Sequence, residues 1–513
     1  MSKNNVLRGA LTLTVSGIFV RILGFAYRIY LSRNLGPEGM GIFQLVIPVL
    51  FTSLTLVSAG IPLAVSRLTA QKRVMGDYIG LQRTLYTAIG LVVTSSLLIC
   101  IALILNVNYI SNTILKEPRT RGALLAIYPA IIITPLSAVF KGYFYGIKSF
   151  YPPAFSEIIE EIITVALAFW LLRLTREMDI SARITAVALA VAAGDLVSLL
   201  YLHYSYYRLK DKNTLPAKIS RAPFPLLDIL KISGPIALIR LISSISTSIG
   251  SILIPQRLVK SGVAHSRAVS TLGILNGMVM PLLFAPFTFV GSLAVVMIPN
   301  LSEDLVKNDK AKIRSKISKA IFVTNLLALP FSAMMMALAE PMVIIFYDQI
   351  EAGSILRLMA FLAAVNALGF TLSSILNGLG KQNISAVYIF IGEIIEILSI
   401  IYLIPLPHLR IYGYITGFSL SSLAVLIMQF RAVCKATGLK IIWNEWLFKP
   451  VFAALLTTAI SRLCYLWLLG NRFSLSLAFA LSVFAGMLVY LSVLYLRGSI
   501  TFLREAVFNR TKN

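Results

Sequence analysis

The chain has 513 residues, of which 58% are hydrophobic and only 13% charged, and its formal net charge is +25. Soluble domains carry charges on about a quarter of their residues, so a water-soluble globular fold is excluded. Apolar runs of about 20 residues, enough to cross roughly 30 Å of hydrocarbon, recur from one end to the other and predict an all-α polytopic membrane protein.

Continuous apolar stretches such as LYTAIGLVVTSSLLICIALIL (85–105) lack the alternation of a barrel strand, which excludes a β-barrel. Polar, Gly/Pro-containing and charge-dense breaks divide the chain into about fourteen expected spans, the first centred near residue 18 and the last near residue 486. The first span, GIFVRILGFAYRIYLSR, holds Arg21 near its middle and Arg28 two turns further along the same helical face. No small-residue cleavage site follows it, so it reads as a retained helix rather than a signal peptide. Gly60, Ile61 and Pro62 interrupt the second span and mark a hinge.

The fifth span, starting near Ser149, holds SEIIEEI (156–162) well inside it, which places Glu157 and Glu160 on one face at i, i+3 spacing, and the sixth carries a lone acid, Asp195, in VAAGDLVSLL. A basic linker, expected over 211–226, leads to the seventh span. There Gly234 and Pro235 form a second hinge, Arg240 lies inside the helix, and Arg257 closes it in LIPQRLVKSG. Pro299, interrupting the eighth span, is a further hinge candidate, and an ordinary static kink is the alternative at each of these positions. The eleventh span repeats the acidic motif as GEIIEIL (392–398), with Glu393 and Glu396. Two more spans and a basic tail complete the chain over 436–513.

Glu157 to Glu393, Glu160 to Glu396, Ser149 to Ser385 and Gly142 to Gly378 share one offset. A constant offset over that distance predicts two homologous six-helix halves, an N-lobe over 1–210 and a C-lobe over 227–435. Parallel repeats of this kind place a substrate site between the halves, which points toward transport. The heaviest basic stretches, RLKDKNTLPAKISR (208–221) and KNDKAKIRSKISK (307–319), fall on one side of the expected topology. The positive-inside rule makes that side cytoplasmic, together with both termini, and assigns these stretches to anionic lipid rather than nucleic acid.

An ionisable residue inside a span costs at least about 2.5–3.5 kcal/mol and faces a cavity or a partner. Arginine keeps its charge and presents a planar fork that fits phosphate, so Arg21, Arg28, Arg240 and Arg257 are candidates to hold a pyrophosphate. Arg28 and Arg257 are equally placed to snorkel to the outer interface. Glu393, Glu396, Glu157 and Asp195 are candidates for coupling to protons or sodium, with a structural, charge-neutralising role as the alternative. The cysteines Cys100, Cys434 and Cys464 are unpaired in sequence and histidines are scarce, so no disulfide, metal site or cofactor is expected. The chain also lacks a Walker-type loop, HExxH, GxSxG or an acidic pair on a loop, which argues against an enzyme.

RILGFAYRIYLSRNLGPEGMGIFQL followed by SAGIPLAVSRLTAQ resembles the stage V sporulation protein B family, within the multidrug/oligosaccharidyl-lipid/polysaccharide (MOP) exporter superfamily. FVRILGFAYR, and IPQRL followed by PNLS (299–302), are similar to segments of the MurJ-type lipid II flippases. The resemblance implies a MATE-like fold in the bacterial cytoplasmic membrane. It further implies flipping of a lipid-linked sugar pyrophosphate, such as the peptidoglycan precursor lipid II for spore cortex synthesis, by a monomer using alternating access. Arg21 and Arg257 match arginines that relatives use in a central cavity, whereas another such arginine aligns with Tyr27, beside Arg28. A cation site on the eleventh helix of some relatives draws attention to Glu393 and Glu396. A drug/cation antiporter driven by a proton or sodium gradient is the competing expectation, and it rests on the intramembrane acids.

Overall fold

The computed structural model describes residues 3–210, 225–287, 290–291, 301, 304–305, 309–439 and 441–498. The expected linker and Pro299 lie wholly or largely outside these residues, as does the basic tail. Every regular element among the described residues is helical, as a chain that must satisfy its backbone inside hydrocarbon requires.

Helix α1 (Lys3–Ser58) has 56 residues, which at 1.5 Å per residue is about 84 Å, far longer than one bilayer crossing. It holds two spans. They part at Gly36, whose φ of 67° and ψ of −179° suit glycine alone, with Pro37 next in the chain. A second break separates α1 from α2 (Ile61–Val74), at Gly60 with φ 82°. A Cβ on Gly60 would press on the backbone of Ser233. The next helix, α3 (Tyr78–Leu105), is capped by Asp77, which accepts from the Gly80 N–H at 2.7 Å. Asp77 is partly desolvated, but that cap bond and the Lys72 ammonium 3.2 Å away hold its carboxyl below the ordinary range.

Then follow α4 (Arg121–Gly146), α5 (Tyr151–Leu174), α6 (Ile180–Lys210), α7 (Leu226–Lys260) and α8 (His265–Leu272). With the segments before them they form one compact unit, Met1–Gln256 and His265–Gly273. Small residues let its helices approach closely. Gly142 on α4 sits under the Pro62 carbonyl, and Gly194 on α6 sits against Thr164 and the Glu160 carbonyl of α5.

The second unit, Arg257–Ala264 and Ile274–Asn513, contains α9 (Lys310–Ala337), α10 (Phe361–Gly378), α11 (Gln382–Tyr402), α12 (Ile411–Thr437), α13 (Lys449–Gly470) and α14 (Leu475–Leu496). Ile317, Phe322, Leu372, Ile375 and Trp446 build its largest apolar cluster.

Eleven helices among the described residues are long and apolar enough to cross a membrane, against about fourteen expected spans. Three features account for the difference. The first of the eleven, Thr12–Val74, runs through the Gly36 break. Helix α5 carries Glu157, Glu160, Glu161 and Arg173 within its 24 residues, too many charges for an apolar count. Part of the region expected to form the eighth span lies outside the described residues.

Candidate functional site

Arg21 and Arg28 lie on the first half of α1, and both side chains are exposed. Arg240, inside α7, is exposed as well, while Arg257 is half-buried in the last turn of the same helix. Among the described residues, Arg21 and Arg240 make no ion pair or hydrogen bond. A guanidinium at mid-span depth is not left against acyl chains, so these two faces require a polar path. Arg28 has a nearby counter-charge in Glu161 of α5. Glu161 leans on the small face of α1, since a Cβ on Gly24 would meet its Oε1 at 3.1 Å.

The acids of the first motif converge. Lys141 Nζ on α4 lies 3.4 Å from Glu157 Oε1 and 3.7 Å from Glu160 Oε2. Asp195 on α6 is 8% exposed, accepts from Thr134 Oγ1 at 2.5 Å, and lies within hydrogen-bonding reach of Glu160. The close packing at Gly194 brings Asp195 to α5. Glu157 and Asp195, separate candidates in the sequence, thus belong to one cluster with Glu160, Thr134 and Lys141.

Lys141 was not singled out from sequence because VFKGYFYG, near the end of a span, reads as a place for a snorkelling lysine. In the second motif, Glu396 on α11 accepts from Tyr414 Oη of α12 at 3.2 Å, and Glu393 is half-buried one turn earlier. The first copy is tied to a lysine and the second to a tyrosine.

A third group, missed in the sequence, lies where α3 hands over to α4. Glu117 is 2% exposed and takes a two-pronged bond from Arg119, Nε to Oε1 at 2.7 Å and Nη2 to Oε2 at 2.8 Å. His265 Nε2 of α8 lies 3.2 Å from Glu117 Oε2, and Arg119 Nη1 reaches Glu38 at 2.8 Å. Burial alone would raise the Glu117 carboxyl, but the Arg119 and His265 bonds outweigh it and hold it below the ordinary range. Spacing could have revealed only the Glu117–Arg119 pair; His265 and Glu38 arrive through folding.

Of the hinge candidates, Gly60 takes its left-handed turn with Pro62 in the first turn of α2, and α7 runs on through Gly234 and Pro235. Among the described residues no three His, Cys, Asp or Glu gather to hold a metal ion.

The profile described as polysaccharide biosynthesis protein matches residues 6–305, more than half of the chain. The chain belongs to the polysaccharide biosynthesis protein family. A second profile, MatE, matches residues 235–402 of this family member. It is 25% identical over 449 residues to stage V sporulation protein B of Bacillus subtilis (strain 168), covering 87% of each chain. It is also 23% identical over 497 residues to lipid II flippase MurJ of the same organism, covering 91% of this chain and 89% of the relative.

Among solved structures, lipid II flippase MurJ in an inward closed conformation superposes with a TM-score of 0.73 at 15% identity, over 96% of this chain and all of that one (100%). An inward-facing MATE family multidrug resistance transporter of the MOP superfamily gives 0.67 at 15% identity, over 82% and 96%. This polysaccharide biosynthesis protein therefore has a MATE-like fold, the one shared by those two structures, and is a multi-pass membrane protein.

Proposed function

We propose that this protein flips a lipid-linked sugar pyrophosphate, with lipid II as the expected substrate, across the bacterial cytoplasmic membrane by alternating access. The observation that carries the proposal is the pair Arg21 and Arg240, exposed within membrane-spanning helices and without an ion partner among the described residues. A permanent cation at that depth is stabilised by an anion that comes and goes, and a pyrophosphate offers the oxygens that an arginine fork fits. Arg28 and Arg257 extend the set along α1 and α7. Bending at Gly60–Pro62 and at Gly234–Pro235 turns the site from one side to the other. The lipid tail stays in the bilayer while the sugar head crosses. The protein acts as a monomer with both termini in the cytoplasm.

The test is lipid II translocation in reconstituted vesicles. Arg21→Ala is expected to slow it about 10- to 100-fold, the worth of one charge-assisted hydrogen bond to a buried anion. Unimpaired translocation by that variant removes the proposed anchor.

The carboxyl cluster around Lys141 favours ion coupling, in which Glu157 and Asp195, or Glu393 and Glu396 in the second motif, take up protons or sodium. On a drug/cation antiporter reading the same acids would carry transport itself. Expression that protects cells from cationic drugs while leaving lipid II translocation unchanged would favour that reading.

A further inference from the structure

In the second unit, the start of α13 and the end of α14 form a hairpin whose two ends meet at one membrane face. A cavity of about 290 Å³ lies there, lined by Asn444, Phe448, Lys449, Phe452, Leu455 and Arg497. Its walls are held in place. Trp446 is 3% exposed, its indole N–H donates to Ser318 Oγ at 3.0 Å, and its carbonyl accepts from Asn325 Nδ2 at 2.7 Å, which pins the segment before α13 to α9. Glu445 fixes Lys449 by an ion pair one turn along. The Arg497 guanidinium lies over the Phe452 ring, 4.4 Å from its centroid.

Outside this frame, Ile441, Ile442, Trp443, Leu447 and Phe448 are all exposed. A tryptophan among aliphatic and aromatic residues at a helix end is the signature of the headgroup level of a bilayer. The pocket thus combines two cations against one carboxylate, at headgroup depth, over a floor of Val451, Phe452 and Leu455. That floor runs along α13 toward the bilayer centre.

We propose that this pocket binds one anionic phospholipid. The phosphate lies between Lys449 and Arg497, and an acyl chain follows Phe452 and Leu455. Arginine laid flat on a ring presents its edge N–H groups to phosphate oxygens, and a basic pocket between helix ends is the usual seat of an acidic headgroup. The site shares no residue with the arginines proposed for pyrophosphate on α1 and α7, and it stands whatever the transported substrate proves to be.

The experiment is native mass spectrometry of the full-length protein in mild detergent, titrated with phosphatidylglycerol or with phosphatidylcholine at matched concentrations. Wild type is expected to retain one phosphatidylglycerol in preference to phosphatidylcholine. Arg497→Gln and Lys449→Gln are each expected to weaken that retention about fivefold, the usual effect of one basic residue at an anionic lipid surface, with phosphatidylcholine retention unchanged. Arg497→Lys, which keeps the charge but not the stacked plane, is expected to fall between wild type and Arg497→Gln.

An unchanged melting temperature for Arg497→Gln shows that the loss belongs to the site. If Lys449→Gln, which frees Glu445, lowers that temperature, the two Arg497 variants decide alone. Equal retention of both lipids by wild type, or phosphatidylglycerol retention in Arg497→Gln equal to wild type, overturns the proposal. Full displacement of the lipid by millimolar inorganic phosphate also overturns it, because the pocket would then be a small-anion site.

Discussion

Glu117 stays ionised although it is 2% exposed, because Arg119 meets both of its oxygens and His265 adds a third contact. Its carboxyl lies below the ordinary range in the folded protein, so its contribution to stability is fully present above the unfolded value of about 4.3 and is lost as pH falls through the folded value. Glu117→Gln removes one side of a largely buried pair. Such a loss costs about 3–5 kcal/mol when both partners are buried, and Arg119 at 36% side-chain exposure reduces it to about 1–3 kcal/mol. The expected result is a lower melting temperature in detergent at neutral pH and a shallower fall in stability on acidification than wild type. A variant that melts like wild type at neutral pH would show that the pair carries no net stability. The arginines of the first and seventh expected spans were legible in the sequence because a charge in an apolar run stands out by itself. Lys141 and His265 were not, because each gains its meaning only from carboxylates on other helices.

The interruption at Gly60–Pro62 was legible because few residues other than glycine adopt its backbone angles, whereas the break at Gly36 emerges only in the structure. What the pattern could not supply was which helices touch. The approach of α5 to α6 at Gly194 and of α4 to α2 at Gly142 depends on hydrogen atoms standing where side chains would collide. The direction in which each helix crosses is a separate matter, decided by charge. On the proposed topology, with both termini in the cytoplasm, the loop after α3 faces outward and the basic start of α9 faces inward. Both positions offer exposed residues, Asn112 and Lys310, suited to single cysteines once Cys100, Cys434 and Cys464 are replaced. In intact cells an impermeant maleimide is expected to label Asn112→Cys and to reach Lys310→Cys only after permeabilisation. The opposite pattern would place the basic side outside and reverse the topology.

Across the whole chain, a net charge of +25 sits with two short acidic motifs inside spans, and the offset between them predicts two related halves. Compactness partitions the chain differently from that expectation, since α7 up to Gln256 groups with the first unit. A repeat would follow chain order, whereas compact units follow packing. The two acidic motifs also differ in chemistry. In the first, Glu157 and Glu160 face Lys141, and Asp195 joins Glu160 and Thr134. Arg28 and Tyr27 of α1 flank Glu161 beside them. In the second, Glu396 meets Tyr414, a neutral donor. Three carboxyl groups gather about one lysine in the first motif, so the proposed ion coupling is tested there first. In vesicles with an imposed proton or sodium gradient, Asp195→Asn is expected to abolish the gradient's stimulation of translocation while leaving the ungraded rate near wild type. Glu396→Gln is expected to keep most of the stimulation. If Glu396→Gln alone loses it, the coupling site lies on α11, and the lysine-bound cluster of α4, α5 and α6 serves to hold those helices together.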